Sequence, residues 1–310
     1  MADGSGKPAS ASIMREAKAA AAEAASEAWA ETLDRAEAEA AAGKTPVRHA
    51  KASRQVKAGK AWHQFEVNVW LTDFNSVEFG IYQHARNKAK SRQFTSDMDI
   101  YAEVVENGER TGLIGYRQEL WQKSAGMERR LVMKLFNESL NWRASMDMMV
   151  ARSLQQTLAA RGEPVVSYAM NVGDHEYVVL LERSANKWPL LPEYYGFFML
   201  DDGKPRFYKL RRALINLGGD YALLDERDNV VARIAGRLFT LSGYWRCSVR
   251  SEHASARLVM VLQMFCGMLP FNRSARKQIR DLYYQVQQGK FAPKLQRQES
   301  DLYMNPRRVR

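Results

Sequence analysis

The sequence predicts an α+β protein: an antiparallel β-barrel around a buried apolar helix, with a helical insertion and an Ala-rich helix near the N-terminus. Three observations predict it. Short apolar runs separated by turn residues recur from Phe207 to Val249, as in all-β barrels and sandwiches. A period of two runs through Trp62 to Leu120, marking half-buried strands. The segment from Ala254 to Leu269 is apolar nearly all round, and a helix without a polar face must be buried on every side.

Taken in order, residues 1–12 are small and polar and are expected to be disordered. Residues 13–42 are rich in Ala and Glu, strong helix formers, with Gly43 placed as a stop. Only Ile13, Met14, Trp29 and Leu33 give that helix apolar bulk, so it is expected to project or to dock weakly, with a protein partner as one outcome. A basic arm follows: Lys44, Arg48, Lys51, Arg54, Lys57 and Lys60, with no acid among them. Cations three or four apart share one helical face, so the arm is either a phosphate-docking stripe or a solvated linker.

A barrel-like domain is expected over residues 61–290. His63, Phe65, Val67, Val69 and Leu71 alternate with polar neighbours, and Val77, Phe79 and Ile81 continue the pattern. Asp99 to Val105, the Asn107-Gly108 turn and Thr111 to Leu120 read as a hairpin, because Asn-Gly supplies positive φ angles. From Met127 to Ala160 the apolar spacing of three and four predicts helix, ended by Arg161-Gly162-Glu163-Pro164. Strands resume at Val165 to Met170, Tyr177 to Glu182, Tyr195 to Leu200 and Phe207 to Leu210, with Asp202-Gly203 as a hairpin turn. Four more follow at Tyr221 to Leu224, Val230 to Ile234, Leu238 to Leu241 and Trp245 to Val249. Pro270 and Asn272 are expected to break the apolar helix, and Ser274 to Gln288 to form a second, amphipathic one. The basic tail, residues 291–310, is expected to be irregular.

Within this frame one stretch resembles a known family. The acidic turn Asp225-Glu226-Arg227-Asp228-Asn229, the strand Val230-Val231-Ala232-Arg233-Ile234 and the following Gly236-Arg237-Leu238-Phe239 are similar to the LURP-one-related branch of the tubby C-terminal-like superfamily, which also includes the phospholipid scramblases. The likeness covers residues of about 194–268, roughly a quarter of the chain. It implies a barrel wrapped around a mostly apolar helix, here Ala254 to Leu269. It also implies binding of phosphoinositides or anionic lipid, or of nucleic acid. No lipid-binding residue of the family aligns with a position here. The helical reading of 127–160 departs from the family, leaving either a full barrel with a helical insertion or a half barrel joined to another α+β module.

Bulk properties bound the function. With 310 residues, 46% hydrophobic and 26% charged, the chain has the composition of an ordinary globular protein. Its net charge of +11 suits an anionic partner, either a membrane surface or nucleic acid, or serves solubility. Cys247 and Cys266 read as buried thiols in a reducing, cytoplasmic setting. No apolar stretch reaches the roughly 20 residues of a membrane span, and no secretory signal is expected.

No G-x-S-x-G, H-E-x-x-H or Walker A motif is present. His175, flanked by Asp174 and Glu176, reads as a turn residue more than a ligand. Asp97 and Asp99 share a strand face, and Asp225, Glu226 and Asp228 share a turn, which suits either acid/base chemistry or ordinary solvated turns. The sequence therefore points to a non-enzyme with no cofactor or metal. The anion-binding candidates are Lys204, Arg206, Lys209, Arg211 and Arg212 on one hairpin, Arg246 and Arg250 on the last strand, and Arg273, Arg276, Lys277 and Arg280 after the apolar helix. Tyr194, Tyr195, Phe197 and Phe198 lie beside the basic hairpin, for stacking on bases, insertion at a lipid headgroup layer or core packing. The expected role is peripheral docking to membrane phospholipid phosphates. The alternative is a basic subunit of a nucleoprotein or multi-protein assembly, binding RNA or DNA through its terminal arms.

Overall fold

The computed structural model describes residues 62–69, 94–173, 177–185, 193–201, 203–213, 220–236 and 243–304. Twelve antiparallel strands close into one barrel: β1 (Trp62–Val69), β2 (Met98–Glu106), β3 (Glu109–Arg117), β4 (Val132–Phe136), β5 (Trp142–Met148), β6 (Ser167–Val172), β7 (Val179–Arg183), β8 (Tyr194–Asp201), β9 (Lys204–Arg212), β10 (Tyr221–Leu224), β11 (Val230–Gly236) and β12 (Tyr244–Arg250). Neighbours in sequence are neighbours in the ring, and β1 closes it by pairing with both β2 and β12. All described residues fall in one unit, Ala58–Arg310. The half-barrel alternative is thereby excluded, since strands on both sides of residues 127–160 share one ring. The Ala-rich helix, the basic arm, and the expected strands at 77–81 and 238–241 lie outside the described residues.

Turn chemistry sets the register. Asn107 and Gly108 both have positive φ, 54° and 84°, as a two-residue hairpin requires, and they join Glu106 to its partner Glu109. Gly203, at φ 73°, does the same between Asp201 and Lys204. Along β1, Phe65, Val67 and Val69 are buried, and along β8, Tyr195, Phe197 and Met199. These alternate residues point into one continuous core.

Residues 127–148 are a correction. The expected helix is instead β4 and β5, and the helix α1 is confined to Val150–Ala159. The reason is that β4 is covered on both faces: all five of its residues are buried. Met133 and Leu135 join the main core, whereas Phe136 packs with Met98, Ile100, Leu113 and Leu140 in a separate cluster. A strand buried on both faces loses the polar alternation that identifies it.

Pro270 is a second correction. It lies inside an unbroken helix, α2 (Ala256–Gln287). A proline within a helix costs about 3 kcal/mol through the lost N–H and its ring clash, so packing on either side must offset it. Phe271 packs against the rings of Tyr101, Tyr116 and Trp121 at 5.2, 5.1 and 5.9 Å. Asn272 accepts a 2.7 Å hydrogen bond from Tyr195. Before the proline, Arg257 to Met268 are all buried. Phe265 touches Tyr195 of β8 and Tyr221 of β10 at 5.3 and 5.1 Å, and the Gly267 carbonyl accepts from Tyr101 of β2 at 2.8 Å.

The tail supplies a third correction, because residues expected to be irregular form α3 (Arg297–Met304). Its buried Glu299 accepts hydrogen bonds from the backbone N–H groups of Ala151 and Arg152, at 2.9 and 2.7 Å. A carboxylate here satisfies donors that α1 cannot pair internally.

A side chain at Gly267 has no room. A Cβ there would meet Tyr101 Oη at 2.9 Å, Ile114 at 3.0 Å and Met133 at 3.1 Å. Gly267→Ala is expected to destabilise the protein by about 1–3 kcal/mol through overpacking. Tyr101→Phe, which removes the hydroxyl's hydrogen bond to the Gly267 carbonyl, is expected to cost about 0.5–1.5 kcal/mol. Both are read as lowered urea midpoints; unchanged midpoints would show that α2 does not press on β2 to β4 here.

Candidate functional site: an aromatic and basic hairpin face

Among the described strands, the β8–β9 hairpin carries two exposed large aromatics, Phe198 and Phe207. Alternation turns Tyr195, Phe197, Met199, Tyr208 and Leu210 into the core and their neighbours outward. On that outer face Phe198 stands opposite Phe207, and they are 53% and 44% exposed. Gly196, one rung along, is covered by the Phe207 ring, which lies 3.4 Å from where a Cβ would stand. Lys209 is opposite Gly196, and Arg211 is opposite Tyr194. The face is thus an aromatic pair continued by a rung of lysine and a rung of arginine.

The basic candidates do not converge on one point. Arg206 reaches Glu226 at 4.0 Å and Lys209 holds Asp228, tying the β10–β11 turn to β9. Arg246 grips Glu66 across the β1–β12 pair at 2.8 Å and donates a further hydrogen bond to the Tyr244 hydroxyl at 3.2 Å. Arg250 pairs with Glu252 at 3.4 Å and lies over the Trp62 ring at 5.8 Å. Lys204, Arg211, Arg273, Lys277 and Arg280 are exposed. Arg212 and Arg276 belong to a different group, at the barrel end where β7 and β9 finish and β8 begins. The basic arm Lys44, Arg48, Lys51, Arg54, Lys57 and Lys60 lies outside the described residues.

That barrel end holds a buried charge network that the sequence did not signal. Arg183 donates from Nε to Glu193 at 2.6 Å and from Nη1 to the Pro164 carbonyl at 2.7 Å, and approaches Glu163 at 3.4 Å. Arg212 stands 3.6 Å from Glu193, and Arg276 stands 4.0 Å from both Glu193 and Glu163. Burial works to raise the Glu193 carboxyl, but the Arg183 guanidinium, its hydrogen bond, and then Arg276 and Arg212 together hold it below the usual range. Arg183 ends one strand and Glu193 precedes the next, so no spacing rule links them.

Two of the carboxylate candidates, Asp97 and Asp225, hold local hydrogen bonds. Asp97 accepts from Thr95 at 2.7 Å and from Arg117 at 2.9 Å. Asp225 accepts from the backbone of Arg227 and Asn229 and from the Asn229 side chain, at 2.8–3.0 Å, which organises its turn. His175 lies outside the described residues. Cys247 and Cys266 are buried, and burial pushes both thiols upward. Among the described residues no three His, Cys, Asp or Glu side chains are grouped as metal ligands. A cavity of about 130 Å³ lies between β2–β5 and α2, with Glu106, Arg143 and Gln263 among its lining; its Glu106 already accepts from Gln263 at 3.0 Å. No described helix is long and apolar enough to cross a membrane. Comparison with protein-family models, with curated proteins and with solved structures found no match.

The Arg183–Glu193 pair has a definite pH signature. The folded carboxyl is held below its ordinary value of 4.5, so its stabilisation is fully present above that value and is lost as pH falls through the folded one. Glu193→Gln leaves the buried Arg183 with only Glu163, at 3.4 Å, as a charge partner and is expected to destabilise the protein by up to about 3 kcal/mol at neutral pH. Urea unfolding followed from neutral to acid pH is expected to show a smaller acid decline in the variant. Parallel curves would rule out Glu193 as a contributor to acid unfolding.

Proposed function

We propose that the chain is a non-enzymatic, tubby-like barrel protein of the LURP-one-related kind that docks peripherally, from the cytoplasmic side, onto an anionic phospholipid surface. On this reading α2 runs through the barrel as its central helix. Supporting that, Arg257 reaches the Leu200 carbonyl beside the β8–β9 turn while Arg276 approaches Glu193 at the opposite end. The two arginines are separated by about 28 Å at 1.5 Å per residue. A ring of twelve strands also encloses more space than inward side chains alone fill, since eight strands suffice for that and eleven-stranded cans hold a helix.

The observation that carries the docking reading is the exposed Phe198–Phe207 pair on the same hairpin as the exposed Lys204 and Arg211. Aromatics enter the headgroup layer while cations stay at its charged surface. Each Lys or Arg near an anionic leaflet contributes about 1 kcal/mol. Net charge alone is a weaker argument, because Arg206, Lys209, Arg246 and Arg250 already have carboxylate partners. The basic arm would add salt-sensitive affinity, and the Ala-rich helix a place for a protein partner.

Co-sedimentation of the full chain with vesicles is the test. Vesicles containing phosphatidylserine or a phosphoinositide are expected to bind it and neutral phosphatidylcholine vesicles not to. Phe198→Ser with Phe207→Ser is expected to weaken binding about tenfold without lowering thermal stability. Added salt is expected to weaken what remains as the Debye length shortens from about 10 Å at 0.1 M. Binding of RNA or DNA in a mobility shift, with no vesicle binding, would overturn this reading in favour of a nucleoprotein subunit.

A further inference from the structure

The end of the barrel opposite the β8–β9 turn has more guanidinium charge than its carboxylates use. Glu193 is satisfied by Arg183 at 2.6 Å. Arg212 and Arg276 also approach its two oxygens, but at 3.6 and 4.0 Å, beyond hydrogen-bond reach. Among the described residues, three arginines therefore face two carboxylates, Glu193 and Glu163. The donors are under-used as well as the charge: Arg276 Nε is buried with no partner, and so is the hydroxyl of Tyr168, whose side chain is wholly buried. Orphan buried donors are uncommon in folded proteins and ask for an explanation.

We propose that this mouth is a binding site for a phosphate monoester, seated between Arg212 and Arg276. Two forked guanidiniums match the oxygens of a phosphate in number and direction, where a lysine offers only a point charge. The site is open to solvent on one side, with the Arg212 side chain 47% exposed and that of Arg276 28%. Burial, and next the charge of Arg183, make the Arg276 cation harder to hold, and a bound anion offsets the like charge of Arg183. Arg273 and Arg280, three residues before and four after Arg276, are exposed on the same helix and extend the positive approach. Tyr168 feels the Glu193 charge, which places its free hydroxyl within electrostatic range of the same network.

The proposal does not rest on the membrane reading. The phosphate monoester has two sources, a soluble metabolite or a lipid headgroup, and the experiment separates them. The full chain is titrated calorimetrically, at constant ionic strength, with inorganic phosphate, with soluble glycerol phosphate and with vesicles containing phosphatidic acid. Saturable binding of glycerol phosphate is expected, weakened at least tenfold by Arg212→Gln and by Arg276→Gln, and unchanged by the Phe198→Ser, Phe207→Ser pair. Tighter binding to phosphatidic acid vesicles than to glycerol phosphate, still lost in Arg212→Gln, assigns the headgroup as the source. Arg212 is half exposed, so its variant keeps the test valid if Arg276→Gln fails to fold. Absence of binding in all three arms, or wild-type affinity in Arg212→Gln, overturns the site whatever the vesicle result for the hairpin face.

Discussion

The contact between the apolar first half of α2 and buried side chains of several barrel strands is the constraint on which the other features depend. Phe265 meets β8 and β10, while Gly267 is crowded by Tyr101, Ile114 and Met133 from β2, β3 and β4. At Gly267 the helix comes so close to the wall that a methyl group has no room, and the Tyr101 hydroxyl uses that closeness to pair with a backbone carbonyl. Once this half of the helix is held, its continuation past Pro270 is directed as well. Phe271 and Asn272 are fixed by aromatic and tyrosine partners from β2, β3 and β8, and Arg276 follows at the barrel end.

Charge in this molecule is mostly local. The formal +11 suggests a broad basic surface, yet many of the cations on described strands hold neighbouring turns or strands through carboxylates. Arg246 to Glu66 spans the pair that closes the ring, and Lys209 to Asp228 holds a turn. Two places stand apart from these local pairs: an aromatic rung beside cationic rungs on one hairpin, and an arginine-rich mouth at one end. These places differ in chemistry. The hairpin face is open and apolar, suited to a surface; the mouth is recessed and hydrogen-bonding, suited to a discrete anion.

Several elements were legible because their physics is local. Asn107-Gly108 needs positive φ wherever it occurs, so the first hairpin could be read without knowledge of its neighbours. The alternating strands β1, β8 and β12 each have one solvated and one buried face, and the pattern records it. β4 was misread for the opposite reason, since an outer cluster around Phe136 covers the face that would otherwise be polar. Pro270 was misread because helix propensity counts the missing N–H but not the aromatic packing that offsets it. The tail helix was missed because Glu299 is stabilised by the N-terminus of a helix nearly half the chain away.

The sequence by itself determined the class of the protein: short antiparallel strands, an apolar helix to be buried, the hairpin that carries both aromatic and basic residues, and the absence of familiar catalytic motifs. These follow from periodicity, turn preference and residue type, which act over a few neighbours. Only the tertiary structure decided that the strands on both sides of residues 127–160 close into one ring, that Phe198 and Phe207 face outward together, and that Arg183, Arg212 and Arg276 gather around Glu193. Closure and convergence depend on which strand ends share an end of the barrel, and on where a long helix emerges. Those are long-range relations to which no local spacing corresponds.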